Sequence, residues 1–142
     1  MLGYAPLYRW LTLLLATASA SGYSPVLMET AVVRGRLTEL LGLNTLPKVE
    51  AENLFVAGMF SLLDRLLGLP MQEVLETIPL PPEVVRALLS REGMYGPYLA
   101  LAEACELSSN LVGSLAGSLD LSPLEVNKAH LSALAWAQAV TQ

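Results

Sequence analysis

The chain has 142 residues, enough for one domain with a sizeable buried core. Hydrophobic residues make up 54% of it and charged residues 15%, a balance that indicates either a large protein interface or membrane contact. The net charge is −5, and the eight Lys and Arg residues are scattered singly. This argues against a nucleic-acid-binding protein, because phosphate binding gains most of its affinity from basic side chains.

Residues 1–21 contain weak features of a secretory signal: a single positive charge at Arg9, an apolar run after it, and small residues at 18–20. Against this interpretation, a proline and two tyrosines precede the only positive charge. A transmembrane helix needs about 20 apolar residues, and Thr, Ser and Gly interrupt the run before that length. We therefore predict a buried helix over residues 6–20 and no membrane span.

Gly and Pro divide the chain into segments of helical length, and no alternating strand pattern occurs. Eight helices are predicted, over residues 6–20, 25–41, 47–67, 71–77, 82–92, 95–107, 111–119 and from 123 to the C-terminus. The connections are short, so successive helices should pack as neighbours. The predicted fold class is therefore all-α, a single compact multi-helix bundle over residues 1–142 with about 7–8 helices.

Local signals refine these helices. Ser24 and Ser122 are predicted N-caps, because each precedes a proline at a first helical position. In the last helix we expect four apolar side chains to face inward. They are Leu124, Leu131, Leu134 and Ala135.

Three glycines lie inside predicted helices, at Gly58, Gly113 and Gly117. A helical glycine costs about 1 kcal/mol relative to alanine. It is tolerated where another backbone approaches closely. We therefore predict tight helix–helix packing at all three positions.

The residues needed for catalysis or metal binding are scarce. His130 is the only histidine and Cys105 the only cysteine, so there is no internal disulfide, and His130 has no companion ligand at helical spacing. We expect no catalytic residue, no metal site and no cofactor. Cys105 should pack as a small apolar side chain in a reduced, cytoplasmic protein. Glu103 and Glu106, three apart on an otherwise apolar helix, are interpreted as a partner-facing edge.

The middle of the chain contains a longer sequence pattern that resembles a known family. The stretch FVAGMFSLLDRLLGLPM at 55–71, followed by LPPEVVRALL at 80–89 and Glu92-Gly93, resembles the C-terminal part of HDOD (HD-related output) domains. The resemblance is strongest to those attached to EAL domains in bacterial cyclic-di-GMP signalling proteins. Weaker matches at 2–10, 31–40 and 129–137 extend it over nearly the whole chain, with His130 where the family usually has tyrosine.

The resemblance implies a helical signalling module related to the HD phosphohydrolases but without their metal-binding His and Asp. It also implies that the sequence corresponds to about the second half of such a domain, truncated at the N-terminus. The surface that normally packs on the preceding helices would then be exposed, which is costly for apolar side chains in water. We therefore expect self-association, with a symmetric homodimer as the commonest solution.

The leading hypothesis is a non-enzymatic, cytoplasmic protein-interaction module in bacterial signal transduction, with a protein partner of unknown identity. The candidate interface residues are Tyr4, Tyr8 and Trp10, because aromatic side chains often anchor interfaces.

Two alternatives stay open. One is a small-ligand sensor with an apolar pocket between helices near Met59, Phe60 and Met94. The other is a degenerate phosphohydrolase, which would need a metal site that a single histidine makes hard to build.

Overall fold

A computed structural model describes residues 25–43, 45–62, 64–65, 68, 70–77, 80–107 and 110–141. These residues form seven α-helices and no strand, which confirms the all-α prediction. The helices are α1 Pro25–Gly42, α2 Lys48–Phe60, α3 Met71–Thr77, α4 Pro82–Ser90, α5 Gly96–Glu106, α6 Leu111–Ser118 and α7 Pro123–Thr141. The helix predicted over 6–20 and the N-cap predicted at Ser24 lie outside the described residues.

Helix α1 lies at the centre of the bundle and packs against α2, α5 and α7. Its Leu37 and Leu41 are buried together with Phe55 of α2 and Leu99 of α5. On the α7 side, the ring of Trp136 meets Phe55 edge-on, with centroids 5.8 Å apart. The core therefore brings α2, α5 and α7, which are far from one another in sequence, together around α1. No helix in the described residues is both long and apolar enough to cross a membrane.

The crossing of α1 and α2 depends on two glycines. A Cβ atom on Gly58 would lie 2.6 Å from the Cα atom of Gly35 and 2.7 Å from the carbonyl oxygen of Arg34. Both distances are too short for a side chain, so the two backbones are in direct contact here. The packing prediction for Gly58 is confirmed, and this contact offsets the conformational cost of a helical glycine.

The same prediction is wrong for Gly113 and Gly117 on α6. A Cβ atom at either position would meet nothing within 4 Å, and both residues are exposed. Ala116 is buried and Val112 and Leu115 pack partly against the core, so α6 touches the bundle with these side chains and turns its glycines to solvent.

The predicted inward face of α7 is also wrong. Leu124 is 62% exposed, Leu131 68% and Leu134 42%, and Ala135 is exposed as well. The buried residues of this helix are Val126, Ala133 and Ala137. The alanines let α7 approach α1 closely and Trp136 packs beside them, whereas Leu124 and Leu131 lie on the opposite face.

The start of α7 follows the sequence signal. The Ser122 hydroxyl accepts a hydrogen bond from the Glu125 backbone N–H at 3.1 Å, and the Glu125 carboxylate accepts one from the Ser122 N–H at 3.0 Å. This is a capping box, in which two otherwise unpaired donors are satisfied. The N-cap prediction for Ser122 is confirmed.

Candidate functional site

The strongest concentration of polar side chains is a charge cluster, formed by Arg34, Ser61, Arg91, Glu103 and Glu106. Arg34 projects from α1 and is buried. Its Nε atom donates to Glu106 Oε1 at 3.0 Å and its Nη2 atom to Glu106 Oε2 at 2.6 Å. A planar guanidinium thus grips both oxygens of one carboxylate, the strong two-pronged form of an ion pair.

The end of α2 completes the surroundings of Arg34. Its Nη1 atom donates to the Ser61 hydroxyl oxygen at 2.9 Å, and that hydroxyl donates to the Gly58 carbonyl oxygen at 2.6 Å. Because the glycine crossing brings the two backbones together, Ser61 lies within reach of Arg34. The same contact that packs α1 on α2 therefore also positions the cluster.

The second half of the cluster connects α4 with α5. Arg91 donates from Nε to Glu103 Oε1 at 2.7 Å and from Nη2 to Glu103 Oε2 at 2.9 Å. Its Nη1 atom donates to the carbonyl oxygens of Ala87 and Leu88 in the last turn of α4. The backbone of Arg91 is left-handed, with φ of 58°, and therefore ends the helix. Its side chain also caps the helix through the two carbonyl contacts. The cation at the helix C-terminus also complements the helix dipole.

The two halves meet at Glu103. Arg34 Nη1 lies 3.5 Å from Glu103 Oε2. Burial alone would raise the pKa of Glu103, but the hydrogen bond from Arg91 and the positive charges of Arg91, Arg34 and Arg65 outweigh it and hold the pKa below its ordinary value. Glu103 is therefore ionised near neutral pH and held by two guanidinium groups.

These contacts correct the interpretation of Glu103 and Glu106 as an edge that faces a partner. Both carboxylates turn toward arginines of the same chain, across sequence separations of 69, 72 and 12 residues. Sequence reasoning missed Arg34 and Arg91 as their partners, and Ser61 as a further partner of Arg34. The available signal was Arg34 itself, since a charged side chain in a buried helical stretch requires an opposite charge.

Two further polar contacts clamp the helices. Asn53 of α2 donates to the Tyr95 hydroxyl oxygen at 2.9 Å, and that hydroxyl donates to the Glu50 carboxylate. Burial, and next the hydrogen bond to Glu50, raise the pKa of Tyr95 to about 12. The phenol thus stays neutral over the physiological range and serves as a link between α2 and the start of α5.

Arg36 and Glu39 form the second clamp, on the side of α1 that faces α7. Their side chains are 2.6 Å apart, and Glu39 is buried. The Arg36 guanidinium lies 5.3 Å from the centre of the Trp136 ring, a distance that permits a cation–π contact. The ion pair lies within α1, and it is the contact of Arg36 with Trp136 that links α1 to α7.

His130 is half-buried on α7, at a groove between α1 and α7 with a volume of about 470 Å³. The groove is lined by Glu29, Thr30, Val33, Glu106, His130 and Leu134. Arg34 already engages both oxygens of Glu106. Within the described residues, no group of three or more His, Cys, Asp or Glu side chains is arranged to hold a metal ion.

Cys105 lies half-buried on α5. Burial, and next the charge of Glu106, raise the pKa of its thiol. A thiol with a raised pKa is largely protonated near neutral pH, whereas a nucleophilic cysteine works as the thiolate. The environment of Cys105 therefore suits packing better than reactivity.

The structure describes only some of the other residues that the sequence analysis singled out. Tyr4, Tyr8 and Trp10 lie outside the described residues. Met59 and Phe60 are buried in the core, whereas Met94 is exposed in the turn before α5. The groove beside His130 lies elsewhere, between α1 and α7.

The chain is similar to segments of two known bacterial proteins. It is 31% identical over 140 residues to an uncharacterized protein of Bacillus subtilis, YuxH, a match that covers 96% of this chain and 34% of that protein. It is 33% identical over 105 residues to the cyclic di-GMP phosphodiesterase CdgJ of Vibrio cholerae, which covers 74% of this chain and 24% of that protein. The chain thus spans about a third of the first relative and about a quarter of the second. It is distantly homologous to these segments.

No family model matches the chain. No solved structure matches it either.

Proposed function

We propose that this chain is the C-terminal portion of an HDOD-like domain and acts as a non-enzymatic module of bacterial cyclic-di-GMP signalling. The observation that carries the proposal is the 33% identity to a segment of CdgJ over 74% of this chain. That protein's name describes a cyclic di-GMP phosphodiesterase, while the matched segment covers only 24% of it. The resemblance of residues 55–71 and 80–89 to HDOD domains supports the same assignment.

The state of the polar side chains supports a role other than catalysis. General acid–base chemistry needs a group that exchanges a proton near the working pH. Glu103 has a lowered pKa and is held by arginines, while the thiol of Cys105 has a raised pKa. The Glu106 carboxylate is engaged by Arg34 through both oxygens. These side chains stabilise the fold, and none is left poised for a reaction.

The proposed mode of action is contact with another protein. Large apolar side chains remain on the surface, among them Leu107, Leu124 and Leu131. Exposed apolar patches on soluble proteins commonly mark interaction sites. Tyr4, Tyr8 and Trp10 stay the candidate anchors of the interface.

The test combines the purified chain with a separate EAL-type phosphodiesterase domain. Cyclic-di-GMP hydrolysis is measured with increasing amounts of the chain, and binding is followed by calorimetry. We expect no hydrolysis by the chain alone, and a saturable change in the rate of the phosphodiesterase. Replacing Tyr4, Tyr8 and Trp10 together by alanine should abolish that change, whereas Arg86→Ala on the exposed face of α4 should leave it intact.

Two results would overturn the proposal. One is the absence of both binding and any effect on the rate. The other is metal-dependent hydrolysis of cyclic-di-GMP by the chain alone that His130→Ala or Glu106→Gln abolishes, which would favour the degenerate phosphohydrolase.

The small-ligand alternative keeps one supporting observation, the groove beside His130. Its volume of about 470 Å³ is within the range of small-molecule sites, and its lining combines two carboxylates with apolar side chains. A thermal-shift screen of cationic and neutral ligands tests it. A shift that His130→Ala or Leu134→Ala removes would favour a ligand sensor.

A further inference from the structure

The outward face of α7 carries a continuous strip of exposed side chains, here called the outer strip. It consists of Leu124, Asn127, Lys128, Leu131, Leu134, Ala135 and Gln138, all exposed. Positions 124, 131 and 138 are seven residues apart, and 127–128 and 134–135 fill the turns between them. This spacing keeps the strip on one side of the helix, opposite the buried residues of α7. A strip with seven-residue spacing is typical of the surface through which one helix packs against another.

Leu134, at the edge of the strip, also lines the groove beside His130, whereas Leu124 and Leu131 stay largely open to solvent in the described part of the bundle. Leu131 is 68% exposed and Leu124 62%, more than the other large apolar side chains of α7 whose burial the structure describes. Removing such surface from water is the main driving force of protein association. The strip therefore favours a partner that buries it.

The distribution of charge points to the identity of that partner. Copies of a chain with a net charge of −5 repel one another wherever carboxylates face each other. The outer strip contains no carboxylate and a single cation, Lys128, and the exposed Glu125 lies at its edge beside Lys128. Two copies can therefore meet through the centre of this face without placing carboxylates opposite each other. One cation is too few for a nucleic acid or an anionic membrane surface, both of which are recognised through clusters of Lys and Arg.

We propose that two copies of the chain pair through α7, antiparallel, about a two-fold axis beside Leu131. In this arrangement Leu131 of one copy faces Leu131 of the other. Likewise, Lys128 faces Leu134 of the other copy, and Leu124 faces Gln138 of the other copy. The aliphatic stem of Lys128 then covers Leu134 while its ammonium group stays in water. A parallel pair would instead place the two Lys128 side chains at the same level, where they repel.

The expected strength follows from the size of the strip. Fifteen residues of helix span about 22 Å, since each residue adds about 1.5 Å. A single pair of helices of this length buries less than a standard interface of about 1,600 Å². We therefore expect a weak dimer that forms in the micromolar range and dissociates on dilution.

The pairing deepens the proposed function by naming a second copy as one partner, and only its significance for signalling rests on that function. Its test uses no signalling protein. A chain that does not dimerise can therefore still regulate a phosphodiesterase, and a chain that dimerises can lack that regulatory effect.

Sedimentation equilibrium over a range of micromolar concentrations tests the pairing. The wild type should show a reversible monomer–dimer equilibrium. Leu131→Glu should weaken the association constant by about tenfold or more, because it places two carboxylates opposite each other at the axis. Ser132→Glu, which puts the same charge one residue away on the exposed helix surface, should associate like the wild type.

Circular dichroism serves as the control for folding, and all three proteins should have the same helical content. A wild type that is monomeric throughout, or a folded Leu131→Glu variant that associates as well as the wild type, would overturn the proposal.

Cross-linking tests the orientation in a Cys105→Ser background. Leu131→Cys should form a disulfide-linked dimer on mild oxidation, because disulfides need Cβ atoms within about 4.5 Å. Leu124→Cys should not link to itself but should link to Gln138→Cys when the two variants are mixed. Efficient self-linking of Leu124→Cys would instead indicate a parallel pair and overturn the antiparallel arrangement.

Discussion

The α1–α2 crossing and the outer side of α6 and α7 use the same residue types for opposite purposes. At the crossing, Gly58 brings two backbones so close that a Cβ atom would lie 2.7 Å from the Arg34 carbonyl oxygen. On α6, a Cβ atom at Gly113 would meet nothing within 4 Å. A helical glycine thus marks an unusual position, but its surroundings decide whether the missing side chain makes room for a neighbour.

The leucines show the same contrast. Leu37 and Leu54 are fully buried in the region around the crossing, whereas Leu124 and Leu131 face solvent on α7. The inner region combines apolar packing with the charge cluster and fixes the shape of the bundle. On the outer side, Leu124 and Leu131 stay largely exposed in the described residues, which makes this side a candidate for contact with another molecule.

The largest change in stability that tests the contrast between the inner and outer regions is expected at the α1–α2 crossing. Gly58→Val places three carbon atoms where the backbone of α1 lies, and the helices must move apart. We expect a loss of at least about 3 kcal/mol in the free energy of unfolding, the upper end for overpacked cores, or failure to fold. Urea denaturation followed by circular dichroism measures it. A valine variant within about 1 kcal/mol of the wild type would mean that the backbones are not in contact.

A second, slightly smaller effect is expected in the charge cluster. Arg34→Met keeps much of the side-chain volume but leaves the Glu106 carboxylate without its bidentate partner. Breaking a buried pair in this way costs about 3 kcal/mol. The matched control is Arg86→Met, because Arg86 and Glu83 form an exposed pair at 3.6 Å. That variant should stay within about 0.5 kcal/mol of the wild type, and equal losses in the two variants would contradict the special role of the cluster.

The pH dependence of stability sharpens the description of Glu103. Its pKa is lower in the folded protein than its ordinary value of 4.5, so its ionised form stabilises the fold above that pH. This stabilisation is lost as the pH falls below 4.5 through the lowered pKa. Glu103→Gln should therefore be less stable than the wild type at pH 7, and the difference should shrink on acidification. A difference that stays constant between neutral and acidic pH would show that the charge of Glu103 contributes nothing.

The smallest effect is expected on α6 and has the opposite sign. Gly113→Ala adds a methyl group where there is open space, and alanine has the better helix propensity. We expect a gain of about 0.5–1 kcal/mol, read from the same urea curves. A loss of stability would mean that this face of α6 is packed after all.

The sequence was sufficient for the features that depend on local chemistry. Proline positions and a serine N-cap located the starts of α4 and α7, and glycine and proline spacing separated α3 from α4. It was insufficient for α7, because that helix carries alanines on one face and leucines on the other. Periodicity shows that both faces are apolar, and only the close approach to α1 decides that the smaller side chains are buried.

The charge cluster could not be assembled from the sequence for a different reason. Arg34 and Glu106 are separated by 72 residues, and their pairing depends on how α1 and α5 pack. The sequence did contain an arginine in an apolar stretch of α1 and two carboxylates on an apolar helix. It did not show that they satisfy one another.

A double-mutant cycle between Arg34 and Glu106 tests most directly whether the cluster holds the fold together. The free energies of unfolding of Arg34→Met, Glu106→Gln and the double variant are compared with that of the wild type. If the bidentate pair stabilises the bundle, the coupling energy should be at least about 1 kcal/mol, as is typical of residues in one buried network. A coupling energy below about 0.3 kcal/mol would show that the two side chains act independently, and would contradict the structural role assigned to them.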